Sequence, residues 1–405
     1  MGKTIALPTS QGSAVSSSFL LDIPVYVYAT IIASCCIIIG IYWDISWHKS
    51  IGRDGLLSPP HVVVYVGAAL AGLFSGYQVL KTSFWGSTTE QSGMVHFWGI
   101  FYSSLGALFC IWGSIACLTS APFDDWWHNT YGLDVRIFSP PHTLLALGMM
   151  SIQIGAMMAS LALQNRGSVM THLSIELNER RTKRLQFFFL LTASLWLTLV
   201  CVFLSEFLAD YKSHAPIYYQ VAAGVFPLIF LAVGKASPVK WSLTIVSLVY
   251  MGLVLAENWI LQLFPAEPLL GPVLFKLTHY QPLDFPLMLI IPAVAFDVLR
   301  TRIQDKNQWL QAVLYSLLFL LVFLPIQWNL GAFILESPLA RNWFFGGDSW
   351  YFGAEPDWEY RHKFAPWNVT TWPQLAQGLL IAFVIGTLSA RLGLRWGQWM
   401  KKIQR

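Results

Sequence analysis

The chain has 405 residues, 55% of them hydrophobic and only 11% charged, with a net charge of +4. That balance excludes a soluble globular domain, and the few cations fall in short clusters between apolar runs, which argues against a nucleic-acid partner. A hydrocarbon core about 30 Å thick takes roughly 20 apolar residues per helix, and about ten runs meet that need. The amino terminus has one lysine and a Ser-rich stretch, without a short apolar region ending in a cleavage site. It reads as a tail before the first helix, not as a signal peptide. Helices are then expected near 24–43, 61–80, 94–118, 142–163, 186–208, 217–234, 241–263, 284–300, 308–333 and 372–393. The eighth is the weakest, since it barely spans and holds Pro286, Pro292 and Asp297. No alternating pattern suggests a barrel, and backbone groups in lipid must be satisfied within the segment. The fold class is an all-α integral membrane protein.

Arg180, Arg181, Lys183 and Arg184 fall between the fourth and fifth expected helices, and Lys235 and Lys240 between the sixth and seventh. Arg300, Arg302 and Lys306 fall between the eighth and ninth, and Arg391, Arg395, Lys401, Lys402 and Arg405 at the end. These are alternate loops, so the positive-inside rule places them in the cytoplasm with both termini. The remaining loops face outward. The longest of these, 341–371, is dense in Trp, Tyr and Phe, which fits an interfacial belt, a lid or a docking surface. Cys35, Cys36, Cys110, Cys117 and Cys201 lie within apolar runs without CxxC spacing, so they read as packing residues.

Two outward segments say nearly the same thing. Asp44, His48 and His61 form a D-x3-H-x12-H pattern, and Asp124, His128 and His142 form D-x3-H-x13-H. Each last His follows Ser-Pro-Pro, and Trp47, Gly52 and Asp54 align with Trp127, Gly132 and Asp134. Residues four apart share a helix face, and proline suits the first turn of a helix. Each copy therefore reads as an outgoing helix ending in Asp and His, and a returning helix opening with His. The two copies lie two helices apart, so they share an orientation: a parallel duplication of a helix pair across 1–165. Residues 166–184 make the seam to a second bundle, 166–405.

One interfacial histidine alone reads as a hydrogen-bonded structural residue, and Pro-Pro-His alone as a turn. The same spaced trio written twice on one side reads as metal ligation. Two imidazoles and a carboxylate suit copper, zinc, iron or nickel and leave coordination positions open. Asp54 and Asp134 are candidates to orient the ligand imidazoles, with solvated loop residues as the alternative. Spacing leaves open whether the trios make two sites or one.

The segment DISWHKSIGRDGLLSPPHVVVY resembles the copper-binding segment of the C subunit of membrane-bound copper monooxygenases, the methane- and ammonia-oxidising family. The resemblance implies Asp44, His48 and His61 as one copper triad. It also implies Asp124, His128 and His142 as a second, although the family has Asn where this chain has Asp124. The added charge should tighten a divalent cation. The resemblance covers chiefly 40–165. A fainter one, over WSLTIVSLVYMGLVLAENW and DFPLMLIIPAVAFDVL, is to helices of the A subunit and would place Glu257 and Asp297 as intramembrane carboxylates. Such carboxylates tend to be functional, though helix packing explains them equally, as a structural hydrogen bond explains His96.

The resemblance implies a bacterial inner membrane, copper (with zinc or iron as alternatives), and O2-dependent oxidation of a small molecule such as a hydrocarbon or ammonia. It also implies a further membrane or periplasmic copper-binding subunit, because nothing here resembles the family's soluble copper domains. No flavin, haem or iron–sulfur motif is visible, so catalysis would need an external electron donor. No catalytic residue is assigned. The alternatives are a non-catalytic membrane protein that stores, senses or hands over copper or zinc, and a transporter. The last fits less well, since transporter sites lie near the midplane.

Overall fold

A computed structural model of the chain describes residues 23–52, 55–132, 139–166, 175–269, 277–346 and 370–404. α1 (Val25–Ser50) and α2 (Pro59–Trp85) pack as one pair, and α4 (Leu105–Tyr131) and α5 (Pro140–Asn165) as another. Between the pairs lie α3 (Thr88–Ser92) and an antiparallel hairpin of β1 (Val95–Phe97) and β2 (Phe101–Ser103). α6 (Ile175–Phe203), α7 (Pro216–Ala236), α8 (Ser242–Leu261), α9 (Ile290–Ile303), α10 (Gln308–Glu336) and α11 (Trp372–Met400) complete the bundle. α6 packs on α5, and α11 lies along α7. One apolar core runs from Ala33 in α1 to Leu394 in α11.

Among the described residues nine helices are long and apolar enough to cross a membrane: α1, α2, α4 to α8, α10 and α11. This is an all-α membrane protein. The 26 residues of α1, at about 1.5 Å each, make roughly 39 Å, more than the hydrocarbon thickness. Its last turns, with Asp44 and His48, therefore stand at the edge of the apolar zone.

The structure moves three expected boundaries. The third helix does not begin at 94: His96 sits in β1, exposed and stacked on Tyr102 at 4.5 Å, at the pole opposite the motif histidines. The basic run at 180–184 lies inside the first turns of α6 rather than in a loop. The expected span 284–300 is extended to Phe285 and beyond, and becomes helical only from Ile290. Pro286 denies that stretch a helical N–H. Its backbone is satisfied from the bundle instead: Leu283 N–H donates to Asn258 Oδ1, Leu287 N–H to the Tyr250 hydroxyl and Met288 N–H to Gln327 Oε1. Extended backbone at this depth requires such internal partners.

The duplication extends into helix packing. Gly67 stands six residues after His61 and Gly148 six after His142, while Ala33 and Gly113 each stand eleven before the motif aspartate. A Cβ on Gly67 would meet the Ala33 carbonyl at 2.9 Å, and one on Gly148 would meet the Gly113 carbonyl at 2.8 Å. Both pairs thus use the same close backbone approach, which small residues permit in membrane helices. Gly148→Leu would also strike Cys117 N at 2.8 Å, and neither backbone can yield cheaply. It should destabilise the protein by about 1–3 kcal/mol or more. Gly252→Leu, whose Cβ meets nothing within 4 Å, should be near neutral. Thermal denaturation in detergent measures the difference, and equal midpoints would refute the packing account.

Candidate metal centre

Asp44 and His48 project from one face of α1, and His61 reaches them from the first turn of α2. The sequence dictates this locally. Pro59 and Pro60 occupy N1 and N2 of α2, where the missing N–H groups cost nothing, and His61 follows at N3. α5 opens the same way, with Ser139 Oγ accepting from His142 N–H at 3.4 Å. The outgoing helices also end alike. Gly52 and Gly132 follow α1 and α4 with φ of 103° and 89°, a conformation that glycine adopts without steric cost.

In the first triad, Asp44 Oδ1 lies 3.1 Å from His61 Nε2 and 3.8 Å from His48 Nε2. In the second, Asp124 Oδ1 lies 3.5 Å from His128 Nε2 and 3.3 Å from His142 Nε2. Each triad offers three ligand atoms within 4.8 Å of one another. The two close separately, which answers the question that spacing left open. Ligand atoms on a tetrahedral ion with bonds of about 2.0–2.2 Å stand roughly 3.3–3.6 Å apart, and the four separations straddle that range.

Two further observations test the fit to a cation. Asp44 Oδ1 and Asp124 Oδ1 are buried, and among the described residues no donor makes a well-aligned hydrogen bond to either. An unsatisfied buried carboxylate oxygen is costly unless something positive meets it. In addition, His61 Nδ1 faces the Gly55 carbonyl at 3.2 Å, and His128 Nδ1 faces the Gly132 carbonyl at 3.0 Å. A carbonyl only accepts, so each of these two Nδ1 atoms carries a proton and Nε2 is the atom turned toward the aspartate oxygen. This is the orientation that metal-binding histidines use. The donor set, the orphaned oxygens and the orientation of these two rings fit a divalent transition metal.

The triads differ in their surroundings. Side-chain exposure is 16% for Asp44 and 50% for His48, against 25% for Asp124 and 18% for His128. A strap from the second half covers the end of α1. Leu269 N–H donates to the Ile51 carbonyl, Ser46 Oγ to the Gln281 carbonyl, and Gln281 N–H to Ser50 Oγ. The second triad is flanked instead by aromatic rings on α4, with Trp127 and Tyr131 centroids 4.5 Å apart and Phe123 and Trp126 5.9 Å apart. A cavity of about 420 Å3 touches α1 at Tyr42, Ile45 and Lys49, the face beside the one bearing Asp44 and His48.

All six predicted ligands come together as two sets of three. Asp54, Asp134 and residues 347–369 of the aromatic stretch 341–371 lie outside the described residues, while Trp343, Phe344 and Phe345 pack on Trp259, Phe285 and Phe333. Asp297 is accounted for structurally: its Oδ2 accepts from the backbone and hydroxyl of Thr244 at 2.9 Å each, capping the first turn of α8. Glu257, on α8, stands apart from both triads. Sequence reasoning missed the Gly55 and Gly132 carbonyls as imidazole partners. The aligned Gly52 and Gly132 were the available signal for the second.

No family model, no curated protein and no solved structure matches the chain.

Proposed function

We propose that the chain is a membrane metalloprotein whose two triads each hold one transition-metal ion, copper above zinc or iron. The observation that carries this reading is the pair of buried, hydrogen-bond-orphaned aspartate oxygens, each facing two histidine Nε2 atoms. Asp44 and Asp124 supply charge neutralisation, while His48, His61, His128 and His142 supply the nitrogen donors. The backbone carbonyls of Gly55 and Gly132 hold two of the four imidazoles in the required orientation.

The motif resemblance extends the proposal. Residues 1–165 correspond to a C-subunit-like region and 166–405 to an A-subunit-like bundle of the copper monooxygenase family. The reaction is then O2-dependent oxidation of a small molecule such as a hydrocarbon or ammonia. Copper held by Asp44, His48 and His61 or by Asp124, His128 and His142 would supply one-electron redox chemistry toward O2. One oxygen atom enters the substrate and the other leaves as water, so two electrons come from an external donor. A further copper-binding subunit completes the assembly. The protein resides in the bacterial inner membrane with both termini cytoplasmic and the triads outside, as the basic clusters at the other pole favour.

A second reading, non-catalytic storage, sensing or handover of copper or zinc, is favoured by the 50% exposure of His48 at a helix end. Oxygen uptake by the copper-loaded protein, with a reductant and small hydrocarbons or ammonia, separates the two. The catalytic reading expects uptake that depends on substrate. Bound copper without such uptake, partner subunits supplied, would favour storage or handover.

A further inference from the structure

At the pole opposite the triads, the ends of α1, α2, α4 and α5 and the start of α6 enclose a crevice of about 650 Å3. Its lining divides into two chemistries. Among the described residues of the lining, Lys81, Arg166 and Arg181 bring three cations, against the carboxylate of Glu90. That carboxylate already accepts from Ser87 N–H in a capping box at the start of α3. Arg181 is only 8% exposed, so its guanidinium lies deep in the crevice. Arg166 spends part of its donor set on the Gln404 carbonyl and lies against Met94 sulfur.

The remaining wall is apolar and aromatic. Phe74, Tyr77 and Trp85 of α2 line the crevice and continue onto the outer face of that helix, where Trp85 is 78% exposed. Leu73, Leu80 and Phe84 extend the same exposed surface. Cations from the rim at Lys81 to the depth at Arg181, beside an aromatic, lipid-accessible side wall, match a molecule with an anionic head and hydrocarbon tails. Basic pockets between membrane helices are established binders of phospholipid headgroups.

We propose that this crevice binds the phosphate headgroup of an anionic phospholipid, with Arg166 and Arg181 on the phosphate and an acyl chain along the aromatic face of α2. The site is independent of the triads, and its occupancy does not depend on metal.

Native mass spectrometry of the full chain in detergent, titrated with phosphatidylglycerol or with phosphatidylcholine of the same chains, tests the assignment. The wild type should retain one phosphatidylglycerol in preference to phosphatidylcholine. Arg166→Gln with Arg181→Gln should lower that retention about tenfold or more, with phosphatidylcholine adducts unchanged. The rim variant Lys81→Gln, which disturbs no buried group, should lower it in the same direction and serves where the double variant fails to fold. Unchanged phosphatidylglycerol retention in a folded double variant, or in Lys81→Gln should the double variant not fold, would overturn the proposal. Glycerol phosphate should fail to displace the lipid at equal concentration. Equal displacement would reassign the site to a soluble phosphate compound and overturn the lipid assignment.

Discussion

Changing His48 and His128 to Ala together should strip the purified, metal-loaded protein of its transition metal, from about two ions per chain to none retained after dialysis. Each substitution removes one of three ligands and leaves a carboxylate and a single imidazole, a set too small to hold a divalent ion against water. The single variants should each lose one ion, because the triads close separately: among the described residues Asp44 Oδ1 meets His48 and His61, and Asp124 Oδ1 meets His128 and His142. Metal analysis by mass spectrometry reads this directly. Complete loss from either single variant would show a shared site. His96→Ala is the control, since His96 lies at the other pole stacked on Tyr102, and its metal content should equal that of the wild type.

The second large effect concerns Asp124. Asp124→Asn keeps the shape of the side chain but removes the negative charge from a triad whose other ligands are neutral imidazoles. It also converts the buried orphan oxygen into an amide atom with far less need of a cation. The affinity of the second triad for a divalent ion should fall by at least about tenfold to a hundredfold, the range that loss of a supporting ligand contact produces. The first triad should keep its affinity. Competitive chelator titration of the His48→Ala background isolates the second site and measures the change. An unchanged constant there would mean that Asp124 is not a ligand.

The triads were legible in the sequence because each rests on local geometry. A spacing of four on a helix and a histidine behind two prolines are properties of short segments, and both copies carry them. The alignment of Gly52 with Gly132 was visible as well, but that both follow the outgoing helices with positive φ came from the structure. The limits of α4 and the path of 277–289 were not. An apolar run does not distinguish a buried extended stretch from a buried helix, and the partners that satisfy Leu283, Leu287 and Met288 come from α8 and α10. The carbonyl of Gly55 on His61 was hidden too, since it depends on how a loop folds back on the helix that follows. Asp297 looked functional as a carboxylate within an apolar run. Its role as a cap on α8 became visible only once α9 had been placed beside that helix.

Extended X-ray absorption fine structure of the copper-loaded protein tests the central claim most directly. Two triads of one carboxylate and two imidazoles predict nitrogen and oxygen scatterers at about 2.0 Å, with the outer-shell pattern of two imidazoles per copper and no sulfur. A shell at about 2.3 Å from thiolate sulfur, or fewer than one imidazole per copper, would contradict it.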